Sequence, residues 1–135
     1  MDLMESLMIS AAGMRAQGQR LRVVAENIAN ADSVSEVPGG DPYRRKTISF
    51  KNALDRELGM ETVQVRKVGV DPSDFRMKYD PGNPAADDKG YVKLPNVNSL
   101  IEMSDMREAQ RSYEANLRAI EVARTMLQRT IDLIR

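Results

Sequence analysis

The side chains that could do chemistry are few in kind, because the chain of 135 residues contains neither histidine nor cysteine. This absence excludes Ser-His and Cys-His nucleophiles, imidazole proton transfer and the usual zinc ligand sets. The acids Asp80, Asp87 and Asp88 do not follow the EF-hand spacing, and two prolines constrain their loop. Pairs of Asp and Glu could by residue type carry out glycosidase-type chemistry, but the chain has few aromatic residues to line a substrate pocket. We predict no catalytic residue, no cofactor and no metal site.

The charge pattern also narrows the function. The formal net charge is zero, and acids balance bases within each part of the chain, so there is no basic footprint for nucleic acid. Asp2 and Glu5 stand where a secretory signal would carry positive charge, and no run approaches the roughly 20 apolar residues of a membrane span. We expect no cleaved signal peptide, no membrane insertion, no nucleic acid partner and no small-molecule substrate.

The N-terminal part, from Leu3 to about Asn30, has helical periodicity. One series of apolar residues repeats every seven positions, at Leu7, Met14, Leu21 and Ile28. A second series consists of small residues, at Ala11, Gly18 and Ala25. Gly13 and Gly18 each cost about 1 kcal/mol within a helix. Close packing against another helix, or a need for flexibility, must compensate for that cost.

The C-terminal part predicts a longer helix that no Gly or Pro interrupts after Pro95. Ser99 and Glu102 have the spacing of a capping box, which predicts the start of the helix. A polar Asn116 within the apolar stripe would fix register or partner choice. The predicted stripe, which with the two N-terminal series we call the seam, comprises Met106, Ala109, Tyr113, Asn116, Ile120, Ala123, Leu127, Ile131 and Ile134.

Between the helices the pattern changes twice. Residues 32–46 collect Ser, Pro, Gly and Asp without periodicity, which predicts a connector, and residues 47–95 predict a small β-rich insert. Short strands are expected at 75–79 and 91–94. The predicted fold is mainly α: residues 1–31 and 96–135 form an antiparallel coiled coil that serves as the assembly domain, with a hairpin-containing middle segment.

Two interpretations of the seam are open at this stage. The helices could bury their apolar stripes against each other within a monomer. However, two long helices alone leave one side of each uncovered, and such helices need further partners in water. Self-association supplies those partners, and we favour it. A soluble coiled-coil adaptor or chaperone that forms a small discrete oligomer is the alternative.

Two sets of motifs resemble a known family. The stretch from Ser10 to Gln17, followed by Arg20 to Asn30, resembles the N-terminal signature of flagellar rod and hook axial proteins. The Tyr-Arg-Arg-Lys run that ends at Lys46, the Asp-Pro-Gly turn after Tyr79 and the C-terminal motif resemble the proximal-rod members of that family. The motif positions that we single out are Asn27, Asn30, Pro95, Asn96, Asn98, Glu102 and Met103.

The resemblance implies a structural subunit of the bacterial flagellar basal-body rod within the periplasmic space, and not an enzyme. It implies partners, namely other copies of the chain, other rod proteins and the end of the rod that meets the membrane ring. It also implies export by the flagellar type III apparatus and a part in transmitting torque. One departure is Asn83, where the family pattern leads us to expect histidine.

Overall fold

The computed structural model describes residues 2–56 and 59–135. Along the chain the elements are α1 (Leu3–Ala29), β1 (Lys46–Asp55), β2 (Met60–Val70), β3 (Arg76–Tyr79), β4 (Tyr91–Leu94) and α2 (Ser99–Ile134). Two terminal helices with two small antiparallel hairpins between them confirm the mainly α class. The coiled-coil packing of the helices stays a prediction. Neither described helix is long and apolar enough to cross a membrane.

Polar groups close both ends of α1. Ser6 N donates to Asp2 O, and Asp2 N donates to the Glu5 carboxylate at 3.1 Å, so Asp2 is the N-cap residue and Glu5 completes half of a capping box. At the other end, Asn30 Nδ2 donates to Glu26 O at 2.9 Å, and Ser33 Oγ donates to Asn30 Oδ1. The helix therefore ends where the sequence predicts.

The start of α2 corrects one detail of the sequence analysis. Glu102 N donates to Asn98 O, and Leu100 N donates to Asn98 Oδ1 at 3.1 Å, so the N-cap residue is Asn98 and not Ser99. The Glu102 carboxylate binds Arg45 and Asn27 instead of reaching back to the helix start. A spacing match to a capping box is a weak guide when another partner can bind the carboxylate.

The two hairpins are separate sheets, one of β1 with β2 and one of β3 with β4. In the second hairpin Tyr79 is opposite Tyr91, and their rings pack edge to face with centroids 5.3 Å apart. Gly90 precedes β4 with a φ of 83°, and a Cβ there would lie 2.9 Å from the Tyr79 ring. Glycine is therefore required at this position for two reasons.

The chain divides into two compact units. The first unit comprises Met1–Leu21, Ile48–Lys67 and Arg107–Arg135, and the second comprises Arg22–Thr47 and Val68–Met106. Each unit contains part of both helices. The division predicted above, with residues 1–31 and 96–135 as one domain, 32–46 as connector and 47–95 as insert, follows whole elements and stays a prediction.

Candidate functional site: a polar network and an apolar seam

Asn27 lies at the centre of the second unit and is 1% exposed. Its Oδ1 accepts hydrogen bonds from Lys46 N at 2.9 Å and from the Tyr43 hydroxyl at 2.7 Å. Its Nδ2 donates to Lys46 O at 2.9 Å and to the Glu102 carboxylate at 3.1 Å. The side chain thus pairs with both backbone groups of Lys46, as a neighbouring strand would. A buried amide with every hydrogen bond made stabilises one arrangement of its neighbours.

Glu102 is a buried carboxylate on the first turn of α2 and is 1% exposed. It accepts a hydrogen bond from Arg45 Nε, and the same guanidinium lies 3.5 Å from Asp71 Oδ2 and 3.9 Å from Asp105 Oδ2. Burial lowers the pKa of Arg45, but Glu102 and the two aspartates more than offset this, so that pKa is raised overall. The buried negative charge is therefore paired and hydrogen-bonded.

Asn96 connects the loop after β2 to the same cluster. Its Oδ1 accepts from Arg45 N at 2.8 Å, and its Nδ2 donates to Asp71 O at 3.1 Å and to Ser73 O at 3.2 Å. Hydrogen bonds from Ser73, together with the Arg45 charge, lower the pKa of Asp71. We call the cluster the polar network; its members are Asn27, Tyr43, Arg45, Lys46, Asp71, Asn96 and Glu102.

Tyr43 and Lys46 complete the side of the network that faces α1. Burial, followed by the charges of Glu26 and Glu102, raises the pKa of Tyr43 to about 12. Lys46 Nζ forms an ion pair with Glu26. The hydroxyl of Tyr43 donates its proton to Asn27, so the neutral phenol is the form that the network requires.

The polar network forms hydrogen bonds and ion pairs between segments of the same chain. Its carboxylates face a guanidinium and backbone amides, and across the part of the chain that the structure describes no three His, Cys, Asp or Glu residues converge as a metal site. Asp87 Oδ1, in the acidic loop, accepts hydrogen bonds from Lys89 N and Tyr91 N. The network joins α1, the residues before β1, the loop after β2 and the start of α2.

The motif residues from the sequence analysis have distinct places. Asn27, Asn96 and Glu102 meet in the polar network, while Asn30 and Asn98 cap the helices. Pro95 is buried and its carbonyl accepts from Arg76 Nε at 3.2 Å, whereas the side chain of Met103 is exposed.

Tyr43, Arg45, Lys46 and Asp71 also belong to the network, although they were not predicted as site residues. The run that contains the first three was interpreted only as a mark of the family. The available signal was the presence of Tyr and Arg in a connector that otherwise collects small and turn-forming residues.

Most of the predicted seam on α2 lies on the less exposed face of that helix. In the first unit Ala109 and Ala123 are buried, and four other members are half-buried, namely Tyr113, Asn116, Ile120 and Leu127. In the second unit Met106 is half-buried. Ile131 and Ile134, at the end of α2, are exposed. The role of these residues in assembly stays a prediction.

On α1 the most buried residues lie beside the predicted seam. Leu7, Ala11, Met14, Gly18, Leu21 and Ile28 are half-buried, and Ala25 is exposed. The buried positions are Ser10, Ala12, Gly13 and Ala16 in the first unit, and Val23, Val24 and Asn27 in the second. The small residues at 12, 13 and 16 allow close approach of neighbouring elements, and the half-buried seam positions retain accessible apolar surface.

The two glycines of α1 have different surroundings. A Cβ on Gly13 would lie 2.9 Å from both Nδ2 and Oδ1 of Asn116, whose Nδ2 donates to Ser112 O at 3.0 Å. A Cβ on Gly18 would meet no described atom within 4 Å. Close packing therefore accounts for Gly13, and space is open beside Gly18.

Comparison with known proteins finds flagellar rod proteins that are similar to this chain. A family model described as flagellar basal body rod FlgEFG protein C-terminal matches residues 88–133. Three relatives are each called flagellar basal-body rod protein FlgC. That of Agrobacterium fabrum is 58% identical over 127 residues, covering 94% of this chain and 91% of the relative. That of Aquifex aeolicus is 42% identical, covering 98% and 97%, and that of Borreliella burgdorferi is 37% identical, covering 99% of each.

Proposed function

The chain belongs to the FlgC family of flagellar basal-body rod proteins, and from this premise we propose that it acts by mechanical assembly and not by catalysis. It is a structural subunit of the rod. Its partners are other copies of itself and other rod proteins, and its place is the proximal rod within the periplasmic space. The similarity to relatives of nearly equal length carries this assignment.

The seam supports assembly because it holds more apolar surface than the chain itself covers. Ile134 belongs to the same heptad series as Ile120 and Leu127, and Ile131 lies four residues after Leu127 on the same face, yet both Ile131 and Ile134 are exposed. A heptad stripe whose last members are exposed is the pattern expected of a helix that packs against helices of other subunits. Torque then passes through these contacts from one subunit to the next.

The polar network supports the same function in a different way. Hydrogen bonds are directional, whereas apolar contacts are not. A network that holds α1, α2 and the middle segment through buried amides and ion pairs therefore resists relative sliding of these elements. We infer that it stiffens the subunit, which a part that transmits torque requires. Export by the type III apparatus, without cleavage of a signal, precedes assembly.

The experiment that tests the function replaces Ile120 and Leu127 with Asp in cells that depend on this chain. The charged side chains should abolish rod assembly and swimming while secretion of the subunit continues. Gln110→Asp with Gln128→Asp, at two exposed positions of α2, is the matched control and should leave swimming intact. Normal swimming of the Ile120 and Leu127 variant would count against the seam.

Electron microscopy of purified basal bodies with labelled chain provides the second readout. The label should lie in the rod. If the chain is absent from the rod and purifies as a small discrete cytosolic oligomer, it is an adaptor or chaperone and the assignment to the rod is wrong.

A further inference from the structure

The two outer edges of the second hairpin differ. On the outer side of β4, Asp87 N donates to Tyr91 O at 2.9 Å, and Tyr91 N donates to Asp87 Oδ1 at 2.9 Å. The loop before β4 therefore occupies the outward backbone groups of Tyr91. Free backbone groups at the edge of a sheet are places where another strand can add, and a loop of the same chain is one way to cover them. The chain covers β4 in this way but not β3.

Two residues of β3 turn their backbone groups away from β4. Asp80 N donates to Gly90 O at 2.9 Å, and this bond belongs to the antiparallel register of the hairpin. Alternate residues of an antiparallel strand exchange backbone hydrogen bonds with the partner strand, and the residues between them point outward. Met77 and Tyr79 are therefore the outward residues of β3. Among the residues that the structure describes, none hydrogen-bonds the backbone N–H or C=O of either, and we call these groups the open edge.

The side chains of the same two residues form an exposed apolar face. Met77 is 53% exposed and Tyr79 is 63% exposed. They point to the same side of the hairpin, because side chains two positions apart on a strand share a face. The Tyr79 ring also packs against Tyr91 on this face. Tyrosine and methionine are enriched in protein interfaces, so the open edge combines free backbone groups with side chains suited to contact a partner.

The opposite face of β3 is cationic. Arg76 and Lys78 alternate with the outward residues, and both are exposed. Arg76 Nε donates to Pro95 O at 3.2 Å, and within residues 2–56 and 59–135 neither cation forms an ion pair with a carboxylate. Opposite charges that face each other across two strands stabilise the pairing. A strand that adds to the open edge should therefore carry an acidic residue opposite Lys78.

A second copy of β3 does not meet this requirement. In the antiparallel register that uses every backbone group of the open edge, Met77 would pair with Tyr79 of the second copy, and Lys78 would lie directly opposite Lys78. That position is a non-hydrogen-bonded pair, in which the side chains are closest. Like charges directly opposite each other destabilise a strand pair, and lysine on an edge strand hinders pairing between copies. The cations thus disfavour self-pairing and favour an acidic partner.

We propose that β3 binds an extended segment of a partner protein as a third, antiparallel strand, with an acidic residue of that segment opposite Lys78 and apolar residues opposite Met77 and Tyr79. In strand addition the backbone hydrogen bonds give affinity, and the alternating side chains give specificity. This contact lies in the middle segment and does not involve the terminal helices. It goes beyond the rod function proposed above and does not depend on it.

Peptide binding to the full chain tests strand addition. The probe is the acetylated and amidated peptide Thr-Thr-Val-Glu-Val-Thr-Thr, and the control peptide has Lys in place of Glu. We expect the Glu peptide to bind about tenfold more tightly than the Lys peptide, because one cross-strand charge pair changes from attractive to repulsive. Hydrogen exchange measured by NMR should slow at the Met77 and Tyr79 amides when the Glu peptide is bound. Equal affinities, no binding, or unchanged exchange at both amides overturn the proposal.

Variants of the open edge separate the backbone from the side chains. Met77→Pro removes an outward N–H and leaves the hydrogen bonds between β3 and β4 in place, and proline is tolerated at such an edge position. Met77→Ala, the matched control, keeps the N–H. Binding of the Glu peptide should be lost in Met77→Pro and retained, though weaker, in Met77→Ala. Equal binding by the two variants contradicts strand addition.

Charge reversal tests the choice of partner. Lys78→Glu changes an exposed side chain, and the variant should prefer the Lys peptide to the Glu peptide. An unchanged preference contradicts the proposed register. Analytical ultracentrifugation of the unmodified chain tests the other occupant: a dimer that Met77→Pro dissociates would show that a second copy fills the open edge, and the proposal would be wrong.

Discussion

The two units hold α1 and α2 together by different kinds of interaction. In the second unit Asn27 and Glu102 are buried polar groups whose partners are fixed by hydrogen-bond geometry. In the first unit α1 presents small residues, and a Cβ on Gly13 would lie 2.9 Å from the Asn116 side chain of α2. Directional bonds specify one arrangement, whereas apolar surface accepts any partner of suitable shape. The polar network therefore suits a fixed joint, and the proposed role of the seam is to accept helices of other subunits.

The largest expected effect comes from removing the arginine of the polar network, the fixed joint described above. Arg45→Met leaves Glu102 buried without its cation, and the free energy of unfolding should fall by about 3–5 kcal/mol. Lys93→Met is the control. It removes an exposed ion pair in which Lys93 Nζ lies 2.9 Å from Asp41 Oδ1, and the free energy of unfolding should fall by no more than about 1 kcal/mol. Urea denaturation of the two variants measures both values.

A double variant sharpens this comparison. Arg45→Met with Glu102→Met replaces both charges and should recover much of the lost stability, because no buried charge is then unpaired. If the single Arg45 variant is as stable as the Lys93 variant, the network is not the fixed joint described above.

A smaller effect separates the two glycines of α1. Gly18→Ala should raise the free energy of unfolding by up to about 1 kcal/mol, because alanine favours the helix and no described atom obstructs its Cβ. Gly13→Ala gains the same helix propensity, but its Cβ displaces the Asn116 amide and overpacking costs about 1–3 kcal/mol. Thermal unfolding followed by circular dichroism should therefore show opposite signs for the two substitutions.

Substitution of Asn116, the residue that faces Gly13, checks that result. Asn116→Ala opens the space beside residue 13, and in that background Gly13→Ala should no longer destabilise. A Gly13→Ala chain that stays destabilised to the same degree after Asn116→Ala would show that the contact is not the cause.

The smallest expected effect is a fall in the free energy of unfolding at alkaline pH, which depends on Tyr43 in the polar network. The unfolded chain ionises Tyr43 near pH 10, while the folded chain keeps the phenol neutral because burial and Glu26 raise its pKa to about 12. The unfolding free energy should therefore fall as pH rises from about 10 to about 12. Tyr43→Phe loses one hydrogen bond at neutral pH, at about 1 kcal/mol, and this deficit should shrink over that pH range. A constant difference between the two chains contradicts the assignment.

Local pattern was a good guide to the elements and a poor guide to side-chain partners. The helix limits and the strand at 91–94 follow from periodicity and turn residues, which act over a few positions. The pairing of Arg45 with Glu102 joins residues 57 positions apart, and that of Asn27 with Glu102 spans 75. Nothing in the spacing of one segment states which distant segment will face it.

The sequence by itself determined two long capped helices, a hairpin-bearing middle segment, the absence of histidine and cysteine chemistry, and motifs shared with rod proteins. Only the tertiary structure decided that Gly13 and not Gly18 is tightly packed, that Asn98 caps α2, and that Glu102 belongs to a buried network. The reason is physical: helix propensity and periodicity act along the chain, whereas packing and burial depend on which surfaces meet across it.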